Sequence, residues 1–276
     1  MSAMIQERHR MCCVQTPLAI EQPHHPAGHT AQQVFSYYQK CLWQSSRAQC
    51  YLEERGLLDK ALLQQFHIGF CDRTLHRQLP VAKSVAGQRA RGPLRQLGLM
   101  RPSGRETFEG AIVVPALCNG MPLAAYGRRV TPKLASRCVP YIYWATQEAG
   151  LFNELVIYRH RHVYLCKTPI EALTLIKAGI NNVVSCWGNA ELTNNQWQQL
   201  SDAGLASLTV VINKGGFAQQ FIEQLRSVTR ELPVMLRYIA LPKRCDLNAA
   251  WGKLSGDRAA FHSLLANARP YLAGAL

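Results

Sequence analysis

Apolar residues along this chain recur in two rhythms, and the change between them separates an early helical part from a later strand-bearing one. Val34, Tyr37, Tyr38, Cys41 and Leu42 return at three- and four-residue steps, which places them on one face of a helix. Arg47 to Arg55 predicts a second helix, with Gly56 placed to close it in a left-handed cap. Asp59 stands where it can cap a third helix running through Phe66, and His67 to Phe70 reads as extended. Between Gly87 and Gly104 the chain is crowded with glycine, proline and arginine, and a mobile basic loop is expected there. From Phe108 the texture changes. Ala111 to Pro115 is a short buried run, Asn119 and Gly120 form a hairpin turn signal, and Leu123 to Tyr126 predicts the return strand.

The last third alternates strand and helix. Strands are predicted at 162–166, 182–186, 208–212 and 234–239, with helices at 169–178, 194–203 and 217–231. Such alternation predicts βαβ units and a parallel sheet. Thr168, Pro169 and Glu171 form a capping-box signature with proline at the first helical position, and Thr193 with Gln196 repeats the device. The expectation is therefore an α/β protein in three parts. Residues 1–28 form a flexible leader, 29–155 a basic, mixed α+β lobe, and 156–276 a parallel sheet flanked by helices and ending in a C-terminal helix.

Composition narrows the class. With 276 residues, 48% apolar and 17% charged, the chain has a globular balance and enough length for two modest cores. The longest apolar run, Ala111 to Cys118, falls far short of the roughly 20 residues that cross a bilayer. The opening MSAMIQERHR lacks an apolar core, so no secretory signal and no membrane partner are expected. Ten cysteines without a C-x-x-C pair read as buried thiols of a reducing cytoplasm. His9, Cys12, Cys13, His24 and His25 fit no closed zinc spacing.

Charge changes the picture more. The net charge is +14, and the stretch from Arg73 to Arg137 holds twelve basic residues against Glu106 and Glu109 alone, a net +10. A clustered basic stretch is the usual electrostatic footprint of phosphate binding, which makes nucleic acid the expected partner. In an open parallel sheet, ligands bind beyond the carboxyl ends of the strands. Here those ends offer Lys167, Asn213, Lys214, Gly215 and the turn Asp246 to Asn248. A magnesium-dependent site needs several converging carboxylates, because Mg²⁺ takes hard oxygen ligands.

An ordered set of segments resembles the catalytic core of bacterial replicative, DnaG-type primases. These are YLEERGL at 51–57 with FHIGF at 66–70, and FEGAIVVP at 108–115 with YGRR at 126–129. Tyr141 to Phe152, Val163 to Val184, Trp187 with Gly188, and Val210 to Gln219 follow in the family's order. The resemblance covers roughly 35–255 and implies a basic N-terminal lobe followed by a TOPRIM domain. It lacks the family's zinc module and helicase-binding domain.

The departures fall on the chemistry. Lys167 stands where the family carries the TOPRIM glutamate, and Asn213, Lys214 and Gly215 stand where it carries its Asp-Gly-Asp. Glu171 matches a family aspartate position but is also the third residue of the capping box, and Asp246 with Asn248 resembles the family's last acidic turn. Two-metal phosphoryl transfer needs cations to neutralise the incoming triphosphate. The resemblance with these losses implies no metal cofactor and no catalytic residue, and a chain that binds single-stranded DNA or RNA as an accessory or regulatory subunit beside a protein partner. Arg128 and Arg129 are the first candidates for phosphate contact, followed by Lys133, Arg91 and Arg95. Tyr126, Tyr141 and Tyr143 either stack on bases or pack in the hairpin. Lys167 and Lys214 either meet phosphate oxygens or face solvent. Two other readings stay open. One is an active primase with atypical ligands, and the other is an interaction platform in a phage-defence or mobile-element complex.

Overall fold

The computed structural model describes residues 26–131, 139–146, 149–188, 192–213, 221, 224–225, 234–241 and 245–270. The leader, apart from 26–28, and most of the helix expected at 217–231 lie outside them. The chain divides into two units, one of residues 1–45 and 67–147 and the other of 46–66 and 148–276. The division is discontinuous in sequence, and the segment 46–66 belongs with the second unit.

In the first unit, helix α1 (Pro26–Gln44) lies on a four-stranded antiparallel sheet. Its buried stripe is Ala31, Val34, Phe35, Tyr38, Cys41 and Leu42: Ala31 and Phe35 join the predicted period, and Tyr37 is only half-buried. The sheet runs in order β1 (Gly69–Phe70), β2 (Ala111–Cys118), β3 (Met121–Arg129), β4 (Tyr141–Ala145). Asn119 and Gly120 both take positive φ, 50° and 77°, as the expected two-residue hairpin requires. Gly69 is dictated by contact: a Cβ there would lie 2.6 Å from the Tyr38 carbonyl carbon, so α1 can sit directly on β1.

The expected basic loop is a helix, α4 (Val85–Gln96). Ser84 caps it by accepting from the Gly87 N–H at 3.0 Å. Its glycines and Pro93 argue against a helix by propensity, but tertiary fit overrides them. A Cβ at Gly87 would stand 1.9 Å from the Val81 carbonyl oxygen, so only glycine admits the approach of that loop. Leu94, Leu99 and Met100 then join Phe35, Phe108 and Trp144 in the core over the sheet.

The second unit opens with α2 (Ser46–Glu54) and α3 (Lys60–Gln65). Gly56 takes φ 65°, as the left-handed cap requires. Asp59 caps α3 through the Leu62 N–H and pairs with Lys177, which holds its carboxyl below the usual range. The five-stranded sheet has order β6 (Val183–Ser185), β5 (His162–Cys166), β7 (Ser207–Asn213), β8 (Met235–Leu241), β9 (Arg269–Pro270). Strands β5 to β8 are mutually parallel, and β9 adds an antiparallel edge. Helices α5 (Pro169–Lys177) and α6 (Asn194–Asp202) make the crossovers. Helices α7 (Leu247–Lys253) and α8 (Arg258–Ala266) close the unit. The second of these is the expected C-terminal helix. No helix among the described residues is long and apolar enough to cross a membrane.

Gly69→Ala is expected to lower stability by roughly 1–3 kcal/mol through overpacking against the α1 backbone. Urea denaturation reads this directly, and an unchanged midpoint would contradict the close approach.

Candidate functional site

Strand order reverses beside β5. The chain leaves β5 for β6 on one side, and β7 lies on the other, so the carboxyl ends of β5 and β7 flank a topological switch point. Lys167 follows β5 and is exposed there, and its ammonium is close enough to Cys186 to oppose the rise of that thiol's pKa. The backbone of Asn213 ends β7. Lys214 and Gly215 lie outside the described residues.

The helix starts at this edge are closed by the chain's own side chains. Thr168 Oγ1 accepts from the Glu171 N–H at 3.4 Å, and Glu171 Oε2 accepts from the Thr168 N–H at 3.1 Å and its hydroxyl at 3.2 Å. Thr193 and Gln196 build the same box at α6, with bonds of 3.3 and 3.1 Å. Asp246 Oδ1 accepts from the Ala249 N–H at 2.7 Å at the start of α7. The third amide of each of these helices, and the N-cap amide of α5 and α6, is thus engaged internally.

Glu171 is 7% exposed. Burial first, and the neighbouring Asp246 carboxylate second, push its carboxyl up to about 7, against hydrogen bonds from Leu247 and Thr168 that pull it down. Burial, with Glu171 nearby, also pushes the Cys186 thiol up to about 12 and the Cys166 thiol well above its ordinary range, so both are unreactive thiols. Asn248 is committed to structure. Its Oδ1 accepts from Arg55 Nη1 at 2.9 Å, and its Nδ2 donates to the Arg55 carbonyl at 2.9 Å and to Thr174 Oγ1 at 3.0 Å. A lysine, a buried carboxyl locked in a capping box and one capping aspartate are not the donor set a hard divalent cation takes. Among the described residues no cluster of three or more His, Cys, Asp or Glu is arranged to hold a metal ion.

The basic candidates separate by burial. Arg95 is exposed on α4, along with Arg89, and Arg77, Lys83, Arg101 and Arg105 are exposed on neighbouring segments. Arg128 is half-buried on β3, directly across the ladder from Tyr141. Arg129 donates from Nη1 to the Glu109 carbonyl at 2.9 Å. Arg91 is a correction. It is 7% exposed and donates to the Pro80 carbonyl at 2.6 Å and the Gly87 carbonyl at 3.2 Å, so it ties the loop before α4 to the helix rather than meeting a ligand. Of the two roles open to Tyr126 the structure shows packing: at 1% exposure it stacks on Tyr141, with centroids 6.4 Å apart. Tyr143 is 37% exposed on the same face of the sheet. Lys133 lies outside the described residues.

The two acids opposing this charge are also engaged. Glu106 is buried, accepting from the Leu75 N–H at 3.1 Å and the Cys71 thiol at 3.0 Å, and burial raises its carboxyl. Glu109 pairs with Arg73 at 3.3 Å.

No family model matches the sequence. No curated protein sequence matches it either. The solved structures do match. A DNA primase domain from Pseudomonas aeruginosa superposes with a TM-score of 0.70 at 19% identity, covering 89% of this chain and 80% of that one. The zinc-binding and RNA polymerase domains of the Aquifex aeolicus primase give a TM-score of 0.71 at 17% identity, over 98% and 67% of the two chains. The chain has the fold of a DnaG primase catalytic core. A DnaG catalytic domain bound to single-stranded DNA matches too, with a TM-score of 0.69 at 18% identity over 88% and 81%. The parallel sheet and the hairpin of the first unit were thus anticipated from the sequence, whereas strand β4 and the antiparallel edge β9 were not. The capping box of Thr168 and Glu171 was legible as a signature, and the capping role of Asp246 was not.

Glu171 makes a signed prediction. Its folded-state carboxyl titrates near 7, above the ordinary 4.5, so its contribution is most favourable below about 4.5 and is lost as pH rises through 7. The loss is on the order of 3 kcal/mol. Glu171→Gln keeps the capping box, as Gln196 does, and is expected to abolish this part of the slope. The check is urea stability from pH 4 to 8 for both proteins. Parallel profiles would contradict the assignment.

Proposed function

We propose that this primase-like chain binds single-stranded nucleic acid through its basic unit and does not synthesise primers. The observation that carries the reading is the sheet edge, where Lys167 replaces an expected acid and Glu171 is buried in a capping box. Magnesium binding is lost in this reading, because no set of ionised carboxylates converges at the edge among the described residues. What remains is the scaffold and the charge. Binding of single-stranded DNA by a structurally similar catalytic domain supports the choice of ligand. Arg128 and Arg95 provide phosphate contacts, with Arg129 and Lys133 beside them in sequence, and Tyr143 provides a stacking surface. Lys167 offers a further cation at the switch point, and Lys214 follows β7 in sequence. The chain acts in the cytoplasm as an accessory subunit whose catalysis, where needed, comes from a protein partner.

The competing reading is an active primase with an unrecognised carboxylate set, favoured by the completeness of the fold. Primer synthesis on a single-stranded template separates the two: no incorporation is expected with Mg²⁺ or Mn²⁺, and template-dependent product would overturn the proposal.

Binding is expected to be salt-dependent, to need no Mg²⁺ and to be weak in sequence preference. Arg128→Ala and Arg95→Ala should each weaken binding to all sequences and reduce the log–log salt slope by about 0.7 for each phosphate no longer neutralised. Arg91→Ala should instead lower thermal stability, since it releases two carbonyl contacts. Electrophoretic mobility shifts from 50 to 200 mM salt, with thermal melts alongside, read both. Affinity independent of salt would favour a protein-interaction platform.

A further inference from the structure

The helical face of the first unit carries a groove remote in sequence from the hairpin arginines. It lies between α1, α4 and the 3-10 turn Leu75–Gln78, with a volume of about 630 Å³. That lies within the roughly 300–1,000 Å³ typical of small-molecule sites. Val34, Leu75 and Leu94 form an apolar floor.

Tyr37 forms a wall, and its ring is fixed from behind. Thr74 gives its one hydroxyl proton to Asp72 Oδ1 at 2.5 Å, so the Tyr37 hydroxyl is the donor in its 2.6 Å bond to Thr74 Oγ1. Lys40 from α1 and Arg89 from α4 stand on the rim, both exposed. Neither has an ion-pair partner among the described residues. Gln33 and Gln78 add amides, and no acidic residue lines the groove. Two cations above an apolar floor, with an oriented aromatic ring and no carboxylate, suit an anion that carries a flat, hydrogen-bonding body.

We propose that this groove binds a nucleoside monophosphate unit. Its base lies against Tyr37 and the apolar floor, its polar edge meets the glutamine amides, and its phosphate meets Lys40 and Arg89. The unit is a free nucleotide or one residue of a strand. None of its lining residues is one to which the proposed function assigns a phosphate contact, although Arg89 shares α4 with Arg95.

Equilibrium dialysis of the full chain tests the assignment with three probes: adenosine 5′-monophosphate, the dinucleotide pdTpdT and inorganic phosphate. Saturable binding of the mononucleotide or the dinucleotide is expected, with phosphate alone far weaker. The mononucleotide identifies a free-nucleotide site, and binding of the dinucleotide alone identifies a strand site. Arg89→Glu and Lys40→Glu, both at exposed positions, should each cut that binding at least about tenfold. Tyr37→Phe should retain it, since the ring remains. Arg128→Ala should leave it unchanged while weakening long oligonucleotides, which distinguishes failure of the groove from failure of the hairpin surface. Absence of binding by both nucleotide probes, equal affinity for inorganic phosphate, or indifference to both charge reversals would overturn the proposal.

Discussion

Everything at the carboxyl edge of the parallel sheet depends on one local interaction, the reciprocal capping of α5 by Thr168 and Glu171. A helix start at a topological switch point ordinarily presents free N–H groups and a positive dipole end to whatever binds there. In this chain a glutamate carboxyl, a glutamine amide and an aspartate carboxylate occupy the starts of α5, α6 and α7. Glu171 meets those donors from a buried position beside Asp246, and burial with like-charge repulsion holds it largely ready to accept a proton near neutrality. A carboxyl in that state is engaged with the amide and hydroxyl of Thr168, and it caps its own helix terminus. The exposed group at the same edge is a lysine.

The basic unit is built on a different logic. Its acids are withdrawn, Glu106 into the interior beside Cys71 and Glu109 into a pair with Arg73. Arg91 is withdrawn as well, to brace the loop against α4. The remaining cations stand on the surface of α4 and the segments around it, where long-range attraction of a polyanion costs no desolvation until contact. A charged surface with little built shape selects for phosphate rather than for sequence, which fits a protein that holds a strand without reading it.

Much of this was legible in the sequence because it rests on local rules. Asp59, Thr168 and Thr193 cap helices through their own side chains. Asn119 and Gly120 turn the hairpin, and the apolar period of α1 matches its buried face. What sequence reasoning missed rests on contacts between distant segments. Helix α4 carries glycine at position 87 because the Val81 loop presses on it, and no local signal announces that approach. Arg91 has a residue type that suits nucleic acid, yet two backbone carbonyls claim it first. The groove between α1 and α4 was hidden for the same reason, since it exists only once α4 is recognised as a helix.

In the proposed function, the sheet edge has exchanged cation binding for internal closure. Isothermal titration calorimetry of the intact chain with Mn²⁺, at a pH above 8 where Glu171 is ionised, tests this under the conditions most favourable to binding. No saturable heat is expected at millimolar metal. Stoichiometric binding that disappears in both Glu171→Gln and Asp246→Asn would contradict it.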